Sequence, residues 1–264
     1  MHNWSIFKSF LRISFQDHLT YKNALLIYMF DVFFLPLISL FVWRVVASSS
    51  PQLNSQIDSI TNYYLLLPLV ALYTSAWHGT YLANDIRAGR ISSALSKPFS
   101  LFTQFFAGNC SSKFVKTFFL LPMVIFSLFL FNLKLTPTLL QISTFIISLG
   151  VTAILAFYRD HLIGLLAFWL DDISAINDFF DISEFTFGGR VVPIFIFPPL
   201  LKSIAFILPF RYFTVFPLEI ITGTLSPTQI FTGLSIQLVW LCLAVYATSM
   251  FWKKGVRRYS AFGG

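Results

Sequence analysis

The chain has 264 residues, of which 56% are hydrophobic, 19% aromatic and only 11% charged. Soluble domains carry about 25% charged residues, so this composition excludes an ordinary water-soluble globule and points to lipid as the solvent. The net charge of +7 does not indicate nucleic acid, because Lys and Arg occupy short segments beside apolar runs instead of one basic face.

Residues 1–23 place Trp4, Phe7, Phe10, Leu11, Phe15 and Leu19 at helical spacing, with Lys8, Arg12 and Gln16 between them. This pattern predicts a helix lying in the membrane interface. The first apolar run, 24–46, is too long for a cleavable signal peptide and reads as a span. Residues 47–61 contain no Lys or Arg and read as an external loop. A second span is expected over 62–83.

The polar, basic stretch 85–98 then holds Arg87, Gly89, Arg90, Ile91, Leu95, Lys97 and Pro98. By the positive-inside rule it is internal. A third span covers 102–131, with Lys113 and Lys116 placed to snorkel from its start. A fourth apolar run, 138–170, is interrupted by Arg159-Asp160-His161. It fits either one long helix or a span followed by an interfacial piece.

The fifth candidate span, 174–193, carries Asp178, Asp181, Glu184 and Arg190. Three acids at three-residue spacing lie roughly on one helical face. Such groups are costly at membrane depth and imply a buried polar network, with Arg159 as a candidate partner for Asp178, a pathway, or a stretch lying partly outside the hydrocarbon. Prolines at 193, 198, 199, 209 and 217 break the next stretch, so 194–224 is expected to form short re-entrant helices from the outer face. A sixth span, 228–251, ends at Lys253, Lys254, Arg257 and Arg258. The expected architecture is all-α: one polytopic helix-bundle domain of about six spans, with both termini cytoplasmic.

The chain contains no Gly-x-x-x-x-Gly-Lys-Ser/Thr phosphate loop, so it does not cradle ATP by that device. His2, His18, His78 and His161 show no metal-ligand spacing, and no nucleophile elbow is present. Asp31 and His78 read as isolated, satisfied interior polar groups. Cys110 and Cys242 lie in apolar segments and read as small buried hydrophobes.

The order of these elements resembles that of the membrane subunits of type-2 ABC exporters. Local segments carry the resemblance further. Ile86-Arg87-Ala88-Gly89-Arg90-Ile91, leading to Leu95-Ser96-Lys97-Pro98, is similar to the family's loop after its second span. Gly164-Leu165-Leu166-Ala167-Phe168-Trp169 resembles its fourth-span ending. Gly189-Arg190-Val191-Val192-Pro193, Phe197-Pro198, Leu208-Pro209-Phe210 and Phe216-Pro217 follow its external region. Gly255-Val256-Arg257-Arg258-Tyr259, with Gly263-Gly264, resembles its tail. Arg159-Asp160-His161 and the three acids depart from the family, which is more apolar there.

The resemblance implies a permease subunit in the cell (inner) membrane, paired with an identical or related permease and served by a separate ABC ATPase dimer. ATP and Mg would then be bound by the ATPase, and no cofactor by this chain. Segment 85–98 would be the coupling helix, with Gly89 at its turn, Ile91, Ala94 and Leu95 as an apolar contact face, and Arg87 and Arg90 facing acids of the ATPase. Two other classes stay open: an ion-coupled transporter using Asp178, Asp181, Glu184 and Arg159 as a relay, and a membrane-assembly protein without transport.

Overall fold

A computed structural model describes residues 2–20, 22–95, 97, 100–132 and 135–259. Among them every regular element is helical. Helix α1 (His2–Thr20) leads into α2 (Lys22–Ser48), the short α3 (Pro51–Asn54) and α4 (Ile57–Thr74). After a break at 75–77 come α5 (His78–Arg87), a turn, α6 (Ile91–Leu95), α7 (Leu101–Leu130) and α8 (Leu139–Leu165). Helix α9 (Ser174–Phe187) precedes three short helices, α10 (Pro199–Ile207), α11 (Phe210–Thr214) and α12 (Phe216–Ile221). The 32-residue α13 (Pro227–Arg258) closes the fold.

Local chemistry explains the sharp starts. Ser100 accepts a hydrogen bond from the Phe102 amide and caps α7. Thr138 with Gln141, and Ser226 with Gln229, form reciprocal capping boxes at α8 and α13. Each satisfies amide groups that the first helical turn leaves without partners. Pro36, Pro68 and Pro122 sit inside α2, α4 and α7 without ending them.

Among the described residues four helical segments are long and apolar enough to cross a membrane: Asn23–Ser48, Leu101–Leu130, Leu139–Phe168 and Pro227–Arg258. The other two expected spans take different forms. Segment 62–83 is divided between α4 and α5. Segment 174–193 holds only the 14-residue α9, about 21 Å of helix against a hydrocarbon layer of about 30 Å. The ambiguous run 138–170 is one continuous helix through Arg159, Asp160 and His161, ending in a single 3-10 turn, Leu166–Phe168. These polar residues do not break α8, because neighbouring elements supply their partners.

The four long segments present large apolar side chains outward, including Ile27, Phe30 and Val45 on α2, Phe118 and Phe129 on α7, Ile146 on α8 and Val239 on α13. Lipid tails are as apolar as these side chains, so helix association rests on close packing and interhelical hydrogen bonds of about 0.6 kcal/mol each on average. Both occur between α8 and α13. The Gln237 amide accepts from Ser148 Oγ at 3.0 Å and donates to Thr152 Oγ1 at 2.8 Å and to the Tyr212 carbonyl at 3.0 Å.

Helix α1 runs parallel to α7, with Phe7 near Phe106 and Phe15 near Phe114 at ring separations of 6.2 and 6.3 Å. The bundle has two distinct ends. One gathers Leu82, Ile86, Ile91, Leu165 and Phe168 into an apolar cluster below the ends of α8 and α13. The other packs Tyr63, Tyr64, Ile194, Val215 and Leu218 beneath the short helices.

Candidate functional site

The break between α4 and α5 contains neither Gly nor Pro, and its stability comes from distant groups. A terminating helix leaves carbonyls unpaired, and its dipole favours a cation there. Lys113 of α7 supplies it, donating to the carbonyls of Tyr73 at 2.9 Å and Ser75 at 2.7 Å. Lys113 is therefore buried in the bundle, not snorkelling as its position in the sequence suggested.

The start of α5 has the opposite need. The Gly79 amide donates to Asp160 Oδ2 at 2.6 Å, and His78 Nδ1 lies 3.0 Å from the same oxygen. The two half-helices are thus finished by a cation and an anion respectively, which lets irregular backbone sit within the bundle. The His78 ring stacks on Phe157 at 4.0 Å and lies 5.4 Å from His161. His78, expected to be isolated, belongs to a buried cluster.

Helices α5 and α8 meet backbone to backbone. A Cβ on Gly164 would stand 2.9 Å from the Gly79 Cα, and one on Gly79 would collide with the Asp160 carbonyl. Only glycine permits that approach. The next residue toward the N-terminus from Asp160 enters a second cluster. Arg159 pairs with Glu184 Oε2. Arg190 Nη2 donates to Glu184 Oε1 at 2.6 Å and to Thr74 Oγ1 at 2.5 Å, and Thr214 Oγ1 also donates to Glu184 Oε1, at 2.8 Å. One carboxylate therefore ties α8, α9, the 188–191 turn and α11 together, and Arg190 extends the link to the last residue of α4.

The expected acid stripe divides here. Glu184 is 3% exposed, whereas Asp178 and Asp181 face outward. Three-residue steps drift by about 60° each around a helix, so residues six apart point about 120° apart. The partner of Arg159 is Glu184, not Asp178. Sequence reasoning also missed Arg211 and Glu219, a buried pair with Nη2–Oε2 at 2.7 Å in the short-helix region. Tyr63 and Tyr64 were missed too. They donate to the carbonyls of Gly189 at 2.6 Å and Val191 at 2.5 Å and hold the turn that carries Arg190.

The basic loop is a tight turn between α5 and α6. Gly89 has φ +73°, a left-handed conformation that a β-branched residue adopts only under strain. Arg90 pairs with Asp85 within the loop, Nε–Oδ1 2.7 Å. Ile91 is fully buried against Leu82, Ile86 and Phe168. It serves this chain's own core and is closed to a partner, contrary to the expected contact face. Arg87 is half-buried. Ala88, Arg90, Ser92 and Ser93 form the exposed part of the turn, and Lys253, Lys254, Arg257 and Arg258 are exposed at the end of α13. Pro98 and the side chains of Ala94 and Leu95 lie outside the described residues, as do Ser96, Lys134 and Gly263-Gly264.

The structure therefore joins two predicted groups that the sequence kept apart. The loop sits on α5, α5 is locked to α8, and α8 carries Arg159 to Glu184 and Arg190. No curated protein matches the chain. A family model described as "ABC-2 family transporter protein" matches residues 33–263. With four long apolar helices and this match over most of its length, the chain is a multi-pass membrane permease that belongs to the ABC-2 family of transporter proteins.

Proposed function

We propose that this permease forms half of an export pathway with a second identical or related permease, and that a separate ABC ATPase drives it through the turn at 88–93. In this reading ATP and Mg belong to the ATPase, and the basic end of the bundle, with both termini, faces the cytoplasm of an inner membrane. The observation that carries the proposal is the mechanical path from the turn into the bundle. Helix α5 is detached from α4 at 75–77 but fastened to α8 through Gly79, Gly164 and Asp160.

A push on Ala88, Arg90 and Ser92 would turn α5 about its break and carry α8 with it. Helix α13 would follow, because Gln237 is bonded to Ser148 and Thr152. The Glu184 cluster lies where α8 meets the turn that carries Arg190, so it resists or relays that displacement toward the short helices at the opposite end. An ion-coupled relay fits less well. Such a relay needs a carboxylate free to exchange protons within the bundle, whereas Glu184 is held by two arginines and Thr214.

Purification of the tagged chain from membranes under mild detergent tests the proposal. An ABC ATPase should co-elute, and its hydrolysis should respond to substitutions in 88–93. A preparation that transports without any associated ATPase would overturn it.

A further inference from the structure

Beside the break, α1, the start of α2, α7 and residues Ser75, Trp77 and His78 line a cavity of about 600 Å³. Lys113 and Lys116 line it from α7, with Gln104, Asn109 and Ser112 on the same helix and His18 on α1. Trp77 and Tyr81 also line it and are 65% and 66% exposed. Two of the three Lys113 donors are engaged by the Tyr73 and Ser75 carbonyls, which leaves the third for the cavity. Lys116 stands over the Tyr28 ring at 3.6 Å.

Asp17 also lines the cavity but is exposed. Among the described residues neither lysine forms an ion pair with a carboxylate. Burial, and then Lys116, lowers the His18 pKa, and the ring is hydrogen-bonded to the Gly108 backbone. Two ammonium groups gathered around amide and hydroxyl groups in a walled cavity form a receptor for a compact anion rich in acceptor oxygens. An apolar groove lined by Tyr73, Phe114, Phe118, Leu121 and Pro122 starts on α7 at Phe114, between the two lysines in sequence, and runs toward the opposite end of the bundle. Trp77 and Tyr81 at the cavity mouth are residue types that favour the level of lipid headgroups.

We propose that this cavity binds a phosphate group, presented by the headgroup of an anionic lipid whose chain lies along the Phe114–Phe118 groove. The site is independent of the transport reading. It requires only that the chain be folded in a membrane.

The test uses the full chain in nanodiscs and the Trp77 component of fluorescence, obtained by subtracting the signal of Trp77→Phe. Phosphatidylglycerol and phosphatidylcholine, each brominated near the glycerol end of the acyl chain, are compared as quenchers. One phosphate–lysine contact near the surface should favour the anionic lipid by about five-fold. That preference should vanish in Lys116→Gln, persist in Lys116→Arg, and leave thermal unfolding unchanged in both. A second arm titrates soluble glycerol phosphate against the same signal. If it shifts the Trp77 component in the wild type and not in Lys116→Gln, while the two lipids quench alike, the phosphate site stands with a soluble source. Equal quenching by both lipids with no response to glycerol phosphate overturns the proposal. So does a lipid preference that Lys116→Gln leaves intact.

Discussion

Gly79 at the first turn of α5 and Gly164 near the end of α8 touch backbone to backbone, and the Asp160 carboxylate closes the contact by accepting the Gly79 amide. This contact makes the loop-bearing helix part of the α8 unit. Adding one methyl in Gly164→Ala should force α5 and α8 apart, at about 1–3 kcal/mol for an overpacked interface. A lower unfolding midpoint and impaired transport are expected. Gly150→Ala is the control, since a Cβ there meets nothing within 4 Å, and it should behave as wild type.

The two ends of the helix break should respond to different chemistry. Lys113→Met removes the charged donor from the Tyr73 and Ser75 carbonyls, and losing hydrogen bonds from a charged group costs about 1.5–3 kcal/mol. Lys113→Arg keeps charge and donors and should restore part of that loss. Asp160→Asn retains an acceptor for the Gly79 amide, whereas Asp160→Ala removes it. The alanine variant should be the less stable by about 1 kcal/mol, the usual worth of a helix N-cap. Thermal unfolding in detergent measures all four.

Glu184→Gln strands Arg159 and Arg190 in the interior. Breaking one side of a buried ion pair costs about 3–5 kcal/mol, so the yield of folded protein should fall sharply. Glu184→Gln combined with Arg159→Met should recover part of the yield, because replacing partners together costs less than orphaning one. Asp178→Asn and Asp181→Asn alter exposed groups and should stay within about 0.5 kcal/mol of wild type. Size-exclusion yield distinguishes these outcomes. A yield for Asp178→Asn as low as that for Glu184→Gln would restore the sequence-based pairing.

The readable parts of the sequence were those fixed by local chemistry. Apolar runs located the long helices, and the prolines beyond 193 marked short helices. The break at 75–77 was hidden because its cause is tertiary. Lys113 lies 38 residues from Ser75 in the chain, and Asp160 lies 81 residues from Gly79. Pro68, the visible helix breaker nearby, breaks nothing. Spacing drew attention to the acids of α9 but did not tell which one faces inward. The family resemblance made Ile91 part of a partner contact face, yet the ends of α8 and α13 fold over it.

The orientation expected from charge can be measured directly. In a version lacking Cys110 and Cys242, cysteines placed at Ser50 and at Lys254 should differ toward an impermeant thiol reagent applied to intact cells. Ser50→Cys should react and Lys254→Cys should not, because basic residues are retained on the cytoplasmic side. Equal reaction at both positions would remove the proposed orientation.

An ATPase that acts on this permease at the exposed turn 88–93 must touch that turn directly. A photo-reactive side chain introduced at Ser92, which is exposed beside the positive-φ Gly89, tests it in intact membranes, with the same group at Ser50 as reference. The expected result is a covalent product joining the Ser92 position to an ABC ATPase, absent from the Ser50 position, and weakened when Gly89→Val distorts the turn. No ATPase adduct at Ser92, or an equal one at Ser50, would contradict it.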